Sequence, residues 1–356
     1  MEDSDNSTPS ITSLNCPVPL PHNQRIVLSH GSGGKRTYDL VKKVFLSNFE
    51  TFETSSLNDS AILPIFGKNI ALTTDSHVVS PLFFPGGDIG RLAVCGTVND
   101  LAMVGATPVF LTAGFILEEG LEIRVLEKIV SSMQTAALES GVKIIAGDTK
   151  VVQKNKADGL YITTSGFGII PDGITIRGDL AKPGDIVIVS GSIGEHGVAV
   201  LTARGELGFD SDVLSDVSPL NDLVAKMISA TKEIHVLRDP TRGGLATTLN
   251  EIAQQSAVNI TIYENRLVVK ENVRATCEFL GFDPLYIANE GKLIAIIPPQ
   301  HSESILRVMH NHPYGKEAAI IGEVKTAPEG RVLLKTNLGS TQILDMLSGE
   351  LLPRIC

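Results

Sequence analysis

Short apolar runs of strand length alternate with helix-length amphipathic stretches through both halves of this chain, and only a mixed α/β architecture buries both kinds together. In the first half, Ile70–Val79 (IALTTDSHVV) is strand-like and leads into the Pro/Gly-rich loop SPLFFPGG. Asp88 is a good N-cap for a helix running to Val104, with Ile89, Leu92, Ala93 and Gly96 at helical spacing before Gly105 and Pro108 stop it. Next come the strand-like Val109–Leu117, an amphipathic helix from Leu121 to Ser140 closed by Gly141, and strands at Val142–Lys150 and Leu160–Ile170.

Residues Pro171–Gly184 are rich in Gly, Pro and charge, and the alternation then restarts with a strand at Asp185–Ser190. The glycine loop GSIGEHG follows, then a helix, a polar stretch, a helix from Leu220, the loop RDPTRGG, a helix to Gln255, and strands near Ile260 and Leu293. The last stretch, Ile343–Cys356, is interrupted by Gly349 and Pro353 and reads as a tail outside the core. At roughly 100–200 residues per domain, 356 residues suit two domains. The expectation is an α/β fold of the α+β kind: a leader at 1–24, domains at 25–170 and 171–336, and a tail at 337–356.

Composition narrows the function. Hydrophobic residues at 43%, charged residues at 20% and a mean hydropathy of +0.16 fit a globular chain and exclude a disordered one. A formal charge of −10, no Trp and only 5% aromatics argue against nucleic acid and anionic membranes as partners. Apolar stretches such as Leu293–Ile297 fall far short of the roughly 18 residues of a membrane span, and the Ser/Thr/Asn/Asp/Pro-rich start has neither the basic nor the apolar region of a secretory signal. Cys16, Cys95, Cys277 and Cys356 are far apart with no CxxC pair, which suits a reducing cytoplasm and no zinc or disulfide framework.

Four acidic positions stand out. Asp100, after Asn99, lies inside the otherwise apolar helix LAVCGTVNDLAMV, where a carboxylate needs a hydrogen bond, an ion pair or a cation. Asp75 (LTTDS) and Asp148 (IIAGDTK) end apolar strands, where side chains converge on a crevice, and Asp59 (LNDSAIL) resembles them. Carboxylates suit Mg²⁺ held jointly with nucleotide phosphates. Glycine loops recur at SHGSGG, FFPGGD, GSIGEHG and DPTRGG; each is either a plain turn or a backbone cradle for phosphate, and none matches the P-loop pattern. Glu290 in ANEGK and Lys150 beyond Asp148 form a plausible base and phosphate neutraliser, or are solvated surface groups. Cys356, after Pro-Arg-Ile, is either an incidental chain end or an unhindered thiol.

Taken together, SHGSGG, TDSHVVSPLFFPGGDIGRLAVCGTVNDLAMVGATP, GFILEEGL, GDTKVVQ, RDPTRGG, IANEGK and above all the terminal PRIC resemble the HypE family of hydrogenase maturation carbamoyl dehydratases over nearly the whole chain after the leader. The resemblance implies two mixed α/β domains of the aminoimidazole ribotide synthetase (PurM-like) type, the first forming a strand-built barrel in a homodimer. It implies that Cys356 receives a carbamoyl group from HypF and that the protein dehydrates the thiocarbamate to a thiocyanate at the expense of ATP. The cyanide then passes to iron on the HypC–HypD complex, with Arg354 steering the tail. In this scheme Mg²⁺ sits on Asp59, Asp75, Asp100 and Asp148, Glu290 is the base, and Lys150 lies near the transferred phosphate. Asn99, Thr149, Asp239, Arg242, Gly194 and Gly243 contact ATP. Cys16 lacks the context of the N-terminal reactive residue of the related selenophosphate synthetases.

Two other readings compete. An ATP-dependent kinase or synthetase of the same superfamily, acting on a free small molecule, accounts for the aspartates and glycine loops but not for PRIC. A non-catalytic assembly factor would bind partners through its tail without turning over ATP.

Overall fold

The computed structural model describes residues 26–46, 58–65, 67–205, 211–327, 329–347 and 354–356. The leader at 1–24 with Cys16, and the tail segment 348–353, lie outside the described residues.

The first half contains α1 (Lys35–Leu40), β1 (Ala61–Ile65), β2 (Lys68–His77), the two-residue pair β3 (Phe83–Phe84) and β4 (Gly87–Asp88), α2 (Ile89–Met103), β5 (Thr107–Glu118), α3 (Ile123–Ser140), β6 (Lys143–Val152) and β7 (Leu160–Ile170). The second half contains β8 (Ile186–Val189), α4 (Glu195–Ala203), α5 (Asn221–Ala230), β9 (Val236–Arg238), α6 (Gly244–Gln255), β10 (Asn259–Tyr263), α7 (Glu271–Leu280), β11 (Ile294–Ile297), α8 (Ser302–His310), β12 (Ala319–Lys325), β13 (Val332–Lys335) and β14 (Thr341–Leu344).

Helix α2 starts where Asp88 Oδ1 accepts hydrogen bonds from the N–H groups of Gly90 and Arg91, and α3 ends at Gly141 in the left-handed conformation that glycine adopts without strain. Five strands form one sheet in the order β1-β2-β7-β5-β6, antiparallel except for β5 and β6. Helix α2 is buried almost throughout and packs on β2 and β7, so this sheet has one face against the helices. Its other face carries Leu72, Phe110, Ile116 and Ile145, all exposed, which is unusual for apolar side chains sharing one sheet face. Seven strands form the second sheet, β14-β13-β10-β12-β8-β11-β9, in which only β10 and β13 run parallel.

One apolar cluster spans both halves, joining Leu101–Val104 and Ile170 to Leu223, Met227, Leu293 and Ile305. The junction also has a polar clip. Asn99, 1% exposed, donates from Nδ2 to the carbonyls of Ser218 and Glu290 and accepts at Oδ1 from the Leu220 N–H, so all its contacts cross from α2 to the second half.

The end of the chain differs from the sequence expectation. β14 pairs with β13 inside the second sheet and buries Leu344, although residues from 337 onward were expected to be tail. Ile355 is 5% exposed and belongs to the apolar cluster of the first half, with Cys356 packed against it. Burial of Ile355 and strand pairing of β14 are worth more than the entropy of keeping these residues loose. Sequence reading also passed over β1, α7, α8, β12 and β13. Among the described residues no helix is long and apolar enough to cross a membrane.

Candidate active site

The segment before β1, strand β2, the middle of α2 and the loop after β9 converge on a cavity of about 490 Å³ lined by Asp59, Asp75, Asp100, Asp239, Arg242, Glu290 and Cys356, among others. Close approach of α2 to β2 depends on Gly96, where a Cβ would stand 3.0 Å from His77 Nε2 and 3.5 Å from Asp75 Oδ2. Ligand atoms of Asp59, Asp100 and Asp239 all lie within 4.8 Å of one another. Thr73 Oγ1 is 2.8 Å from Asp100 Oδ2 and 3.0 Å from the Asp59 carbonyl, which ties β2 to α2.

These carboxyls share a strained electrostatic position. Burial, followed by the charges of Asp239, Asp75 and Asp59, pushes Asp100 well above the ordinary carboxylate range. Burial raises Asp59 to about 6 against the opposing pull of Arg238, whose Nε lies 2.9 Å from Asp59 Oδ1. Burial and Asp59 raise Asp239 to about 8. Asp75 goes the other way, because His77 at 3.2 Å and then Arg242 outweigh its burial.

Among the described residues, Asp59 Oδ2 and Glu290 Oε1 are buried without a hydrogen-bond partner. Mutually repelling carboxylates with such an orphan oxygen fit a hard divalent cation such as Mg²⁺, with Asp59, Asp100 and Asp239 as its nearest holders.

Glu290 enters from the opposite wall on a loop held by Asp216, whose Oδ1 accepts from the Glu290 N–H and whose Oδ2 accepts from the Gly291 N–H and Lys292 Nζ. Only glycine fits at 291, where a Cβ would lie 1.8 Å from the Asp216 carbonyl oxygen. Burial and the surrounding carboxylates Asp239, Asp75 and Asp216 raise Glu290 well above its ordinary value, and Arg242 offsets part of this.

Cys356 lines both this cavity and a second one of about 240 Å³ walled by Ser32, Val78, Arg242 and Tyr286. Its Sγ lies 3.6 Å from Arg242 Nη1. Burial pushes its thiol up to about 12, with Arg242 opposing and Glu290 adding to the rise. A docked Cys356 is therefore a neutral thiol.

The cavity thus gathers Asp59, Asp75, Asp100, Asp239, Arg242, Glu290 and Cys356 from the residues singled out in the sequence. It does not gather Asp148, Thr149 or Lys150. These lie on β6, exposed, with Lys150 Nζ 2.6 Å from Asp148 Oδ2. Three strand spacings separate β2 from β6, about 14 Å, too far for Asp148 to share a cation with Asp75 within one chain.

Asn99 is consumed by the clip between the halves, so its side chain has no group left to face the cavity. Gly194 caps α4 against Val273 and Ile287, away from the cavity lining, whereas Gly243 caps α6 beside Arg242. Of the glycine loops, SHGSGG and DPTRGG both reach the cavity and meet there, where a Cβ on Gly33 would stand 2.7 Å from Arg242. FFPGGD instead packs Gly86 on Ser215. Sequence reading missed Thr73, which ties the acidic residues together, and Asp216, which holds Glu290.

This geometry, two mixed α/β halves around an acidic cavity, defines a class. Family models for AIR synthase related proteins match residues 57–170 (N-terminal domain) and 182–335 (C-terminal domain). Within that class the chain belongs to the HypE carbamoyl dehydratases. It is 52% identical to carbamoyl dehydratase HypE of Azotobacter vinelandii over 334 residues, 94% of this chain and 98% of that protein. The crystal structure of the HypE–HypF complex superposes with a TM-score of 0.82 at 52% identity, covering 86% of this chain and 99% of that one. The crystal structure of HypE in complex with ATP superposes at 0.79 with 49% identity, covering 93% and 100%.

Proposed function

We propose that this carbamoyl dehydratase acts on its own C-terminus: Cys356 carries an S-carbamoyl group, and the acidic cavity uses ATP to remove water from it, leaving a thiocyanate. The observation that carries this reading is Cys356 Sγ standing 3.6 Å from Arg242 on the wall of a cavity that also presents Glu290 and three clustered aspartates.

An amide oxygen leaves poorly, so it must first become a phosphate ester. The bond from the terminal phosphorus of ATP to ADP breaks as the carbamoyl oxygen bonds to that phosphorus, and phosphate then departs as the carbon–nitrogen triple bond forms and both nitrogen protons are lost. Arg242 is placed to hold the oxygen as it gains charge, and the N-terminus of α6 behind Gly243 favours phosphate. Glu290 is our candidate for proton removal, because a carboxylate destabilised by burial is the stronger base. Mg²⁺ on Asp59, Asp100 and Asp239, with Asp75 beside them, would supply charge neutralisation for the phosphoryl group.

A neutral docked thiol is a poor nucleophile, which supports loading of the carbamoyl group by HypF with the tail undocked; on this reading the tail then delivers cyanide to HypC–HypD. For Lys150 and Asp148 to act in a cavity, a second copy must bring them. The exposed apolar face with Leu72, Phe110, Ile116 and Ile145 supports a homodimer in which β6 of one copy approaches the cavity of the other. We place the protein in the cytoplasm, in keeping with the free thiols of Cys95, Cys277 and Cys356.

The test is the mass of the C-terminal peptide after carbamoylation and addition of Mg-ATP. Loss of one water that requires ATP, and that does not occur in Cys356→Ala, is the expected result. A carbamoyl group unchanged by ATP would overturn the reading in favour of a kinase or synthetase acting on a free small molecule.

A further inference from the structure

The docked tail is held almost entirely through its main chain. The Val78 N–H donates to a main-chain oxygen of Cys356 at 3.0 Å and the Ser80 N–H to the Arg354 carbonyl at 3.2 Å. Arg204 Nη2 also donates to Arg354 O, at 3.1 Å, while its Nε holds Ser80 O at 3.0 Å. The Arg354 side chain pairs with Asp158. All these contacts reach solvent or lie near it. The Ile355 carbonyl is different: its partner is His196 Nε2 at 2.8 Å, on a histidine that is fully buried at the start of α4 in the GSIGEHG loop.

The protonation of this histidine follows from its neighbours. A carbonyl oxygen only accepts, so Nε2 carries the proton, and Nδ1, 2.8 Å from Ser215 Oγ, is the acceptor of the serine hydroxyl proton. Ser215 Oγ in turn accepts from the Val217 N–H at 3.2 Å. Burial lowers the histidine pKa, consistent with a neutral ring. Phe84 meets the ring edge-on at 5.4 Å and shares an apolar cluster with the Ile355 side chain, so ring and tail fill one pocket.

We propose that His196, its tautomer set by Ser215, is the positioning residue that fixes the tail in register, so that the residue after Ile355 presents its sulfur to Arg242. The role extends the reading above that Cys356 carries the reacting group, because His196 touches the residue before it and no reacting atom. Removing the imidazole leaves the Ile355 carbonyl buried without a partner, a penalty paid only by the docked tail.

The experiment follows alkylation of each cysteine by iodoacetamide with peptide mapping, in the full-length, ATP-free protein. Cys95 and Cys277, 0% and 1% exposed, report unfolding. His196→Ala should raise the Cys356 rate about tenfold, the effect of one buried hydrogen bond, with Cys95 and Cys277 as protected as before. His196→Gln, whose amide can donate to the same carbonyl, should return the rate to within about threefold of the original. An unchanged Cys356 rate in a protected His196→Ala protein overturns the proposal. If His196→Ala exposes Cys95, the decision passes to Ser215→Ala, which keeps the ring but loses the donor to Nδ1: a rise in Cys356 alkylation of about threefold supports the role, and no rise overturns it. Because alkylation needs neither ATP nor carbamoyl, the result stands apart from success or failure of the dehydration assay.

Discussion

Helix α2 and strand β6 each place an aspartate in an apolar run, VNDLAMV in one and IIAGDTK in the other, and the structure treats them in opposite ways. Asp100 on α2 sits among Asp59, Asp75 and Asp239 and is driven well above its ordinary pKa by burial and like charge. Asp148 on β6 is exposed and held below its ordinary value by hydrogen bonding to Lys150 and to the Thr149 N–H. The difference lies in what covers each element. α2 is enclosed by the sheet, α3 and the second half, whereas among the described residues nothing covers the outer face of the sheet. An acidic residue in an apolar run therefore marks a place where the fold must supply something, which on our proposal is a cation in the first case and a second copy of the chain in the second.

The sharpest way to break this contrast is Asp100→Asn. It should cost about a thousandfold in the dehydration rate measured on the carbamoylated C-terminal peptide, while leaving the protein folded, because the buried cluster loses a repelling charge. A stable and fully active variant would remove the acidic cavity from the mechanism. Lys150→Ala comes next, with an expected loss of about a hundredfold. Mixing it with Cys356→Ala protein should restore part of the activity if β6 serves the neighbouring copy, and a mixture as inactive as its components would argue against that exchange.

Asn99→Ala tests whether α2 is structural as well as catalytic. Three buried hydrogen bonds across the two halves are lost, so urea unfolding should report about 2–4 kcal/mol less stability. Loss of ATP binding at unchanged stability would instead assign Asn99 to the nucleotide.

A smaller effect concerns pH. Asp59 at about 6 and Asp239 at about 8 are raised in the folded protein. Their contribution is complete below the ordinary carboxylate value of about 4 and is lost as pH rises through those two values. Melting temperature in Mg²⁺-free buffer should therefore fall between about pH 5 and pH 8, and Asp239→Asn or added Mg²⁺ should flatten the slope. A rise over that range would contradict the electrostatic picture. The smallest effect belongs to Asp148→Asn, whose exposed pair with Lys150 should leave the melting temperature of the ATP-free protein where it was.

Local pattern carried a good part of the fold. β7 spans Leu160–Ile170 as its alternation predicts, Asp88 caps α2, and Gly141 closes α3, because period, caps and stops are properties of neighbouring residues. Asp59, Asp100 and Glu290 were visible as polar residues in apolar surroundings. Their shared cavity was not, since it depends on contacts between residues as far apart as Asp59 and Asp239. His196 carried one signal that could have found it, a histidine opening the apolar helix HGVAVL. Asn99 shows the converse: a polar residue in an apolar helix that points to a ligand in the sequence and to the other half of the protein in the structure.

The chain end shows the division most clearly. The sequence alone determined that a cysteine follows Pro-Arg-Ile, that two α/β halves precede it, and which carboxylates stand in apolar company, because these are matters of composition and local order. Only the tertiary structure decided that Ile355 is buried, that His196 holds the Ile355 main chain and Val78 that of Cys356, and that Arg242 faces the sulfur while Lys150 does not. Those outcomes depend on distance and burial between segments remote in the chain, and electrostatic and hydrogen-bond energies are set by such distances rather than by residue order.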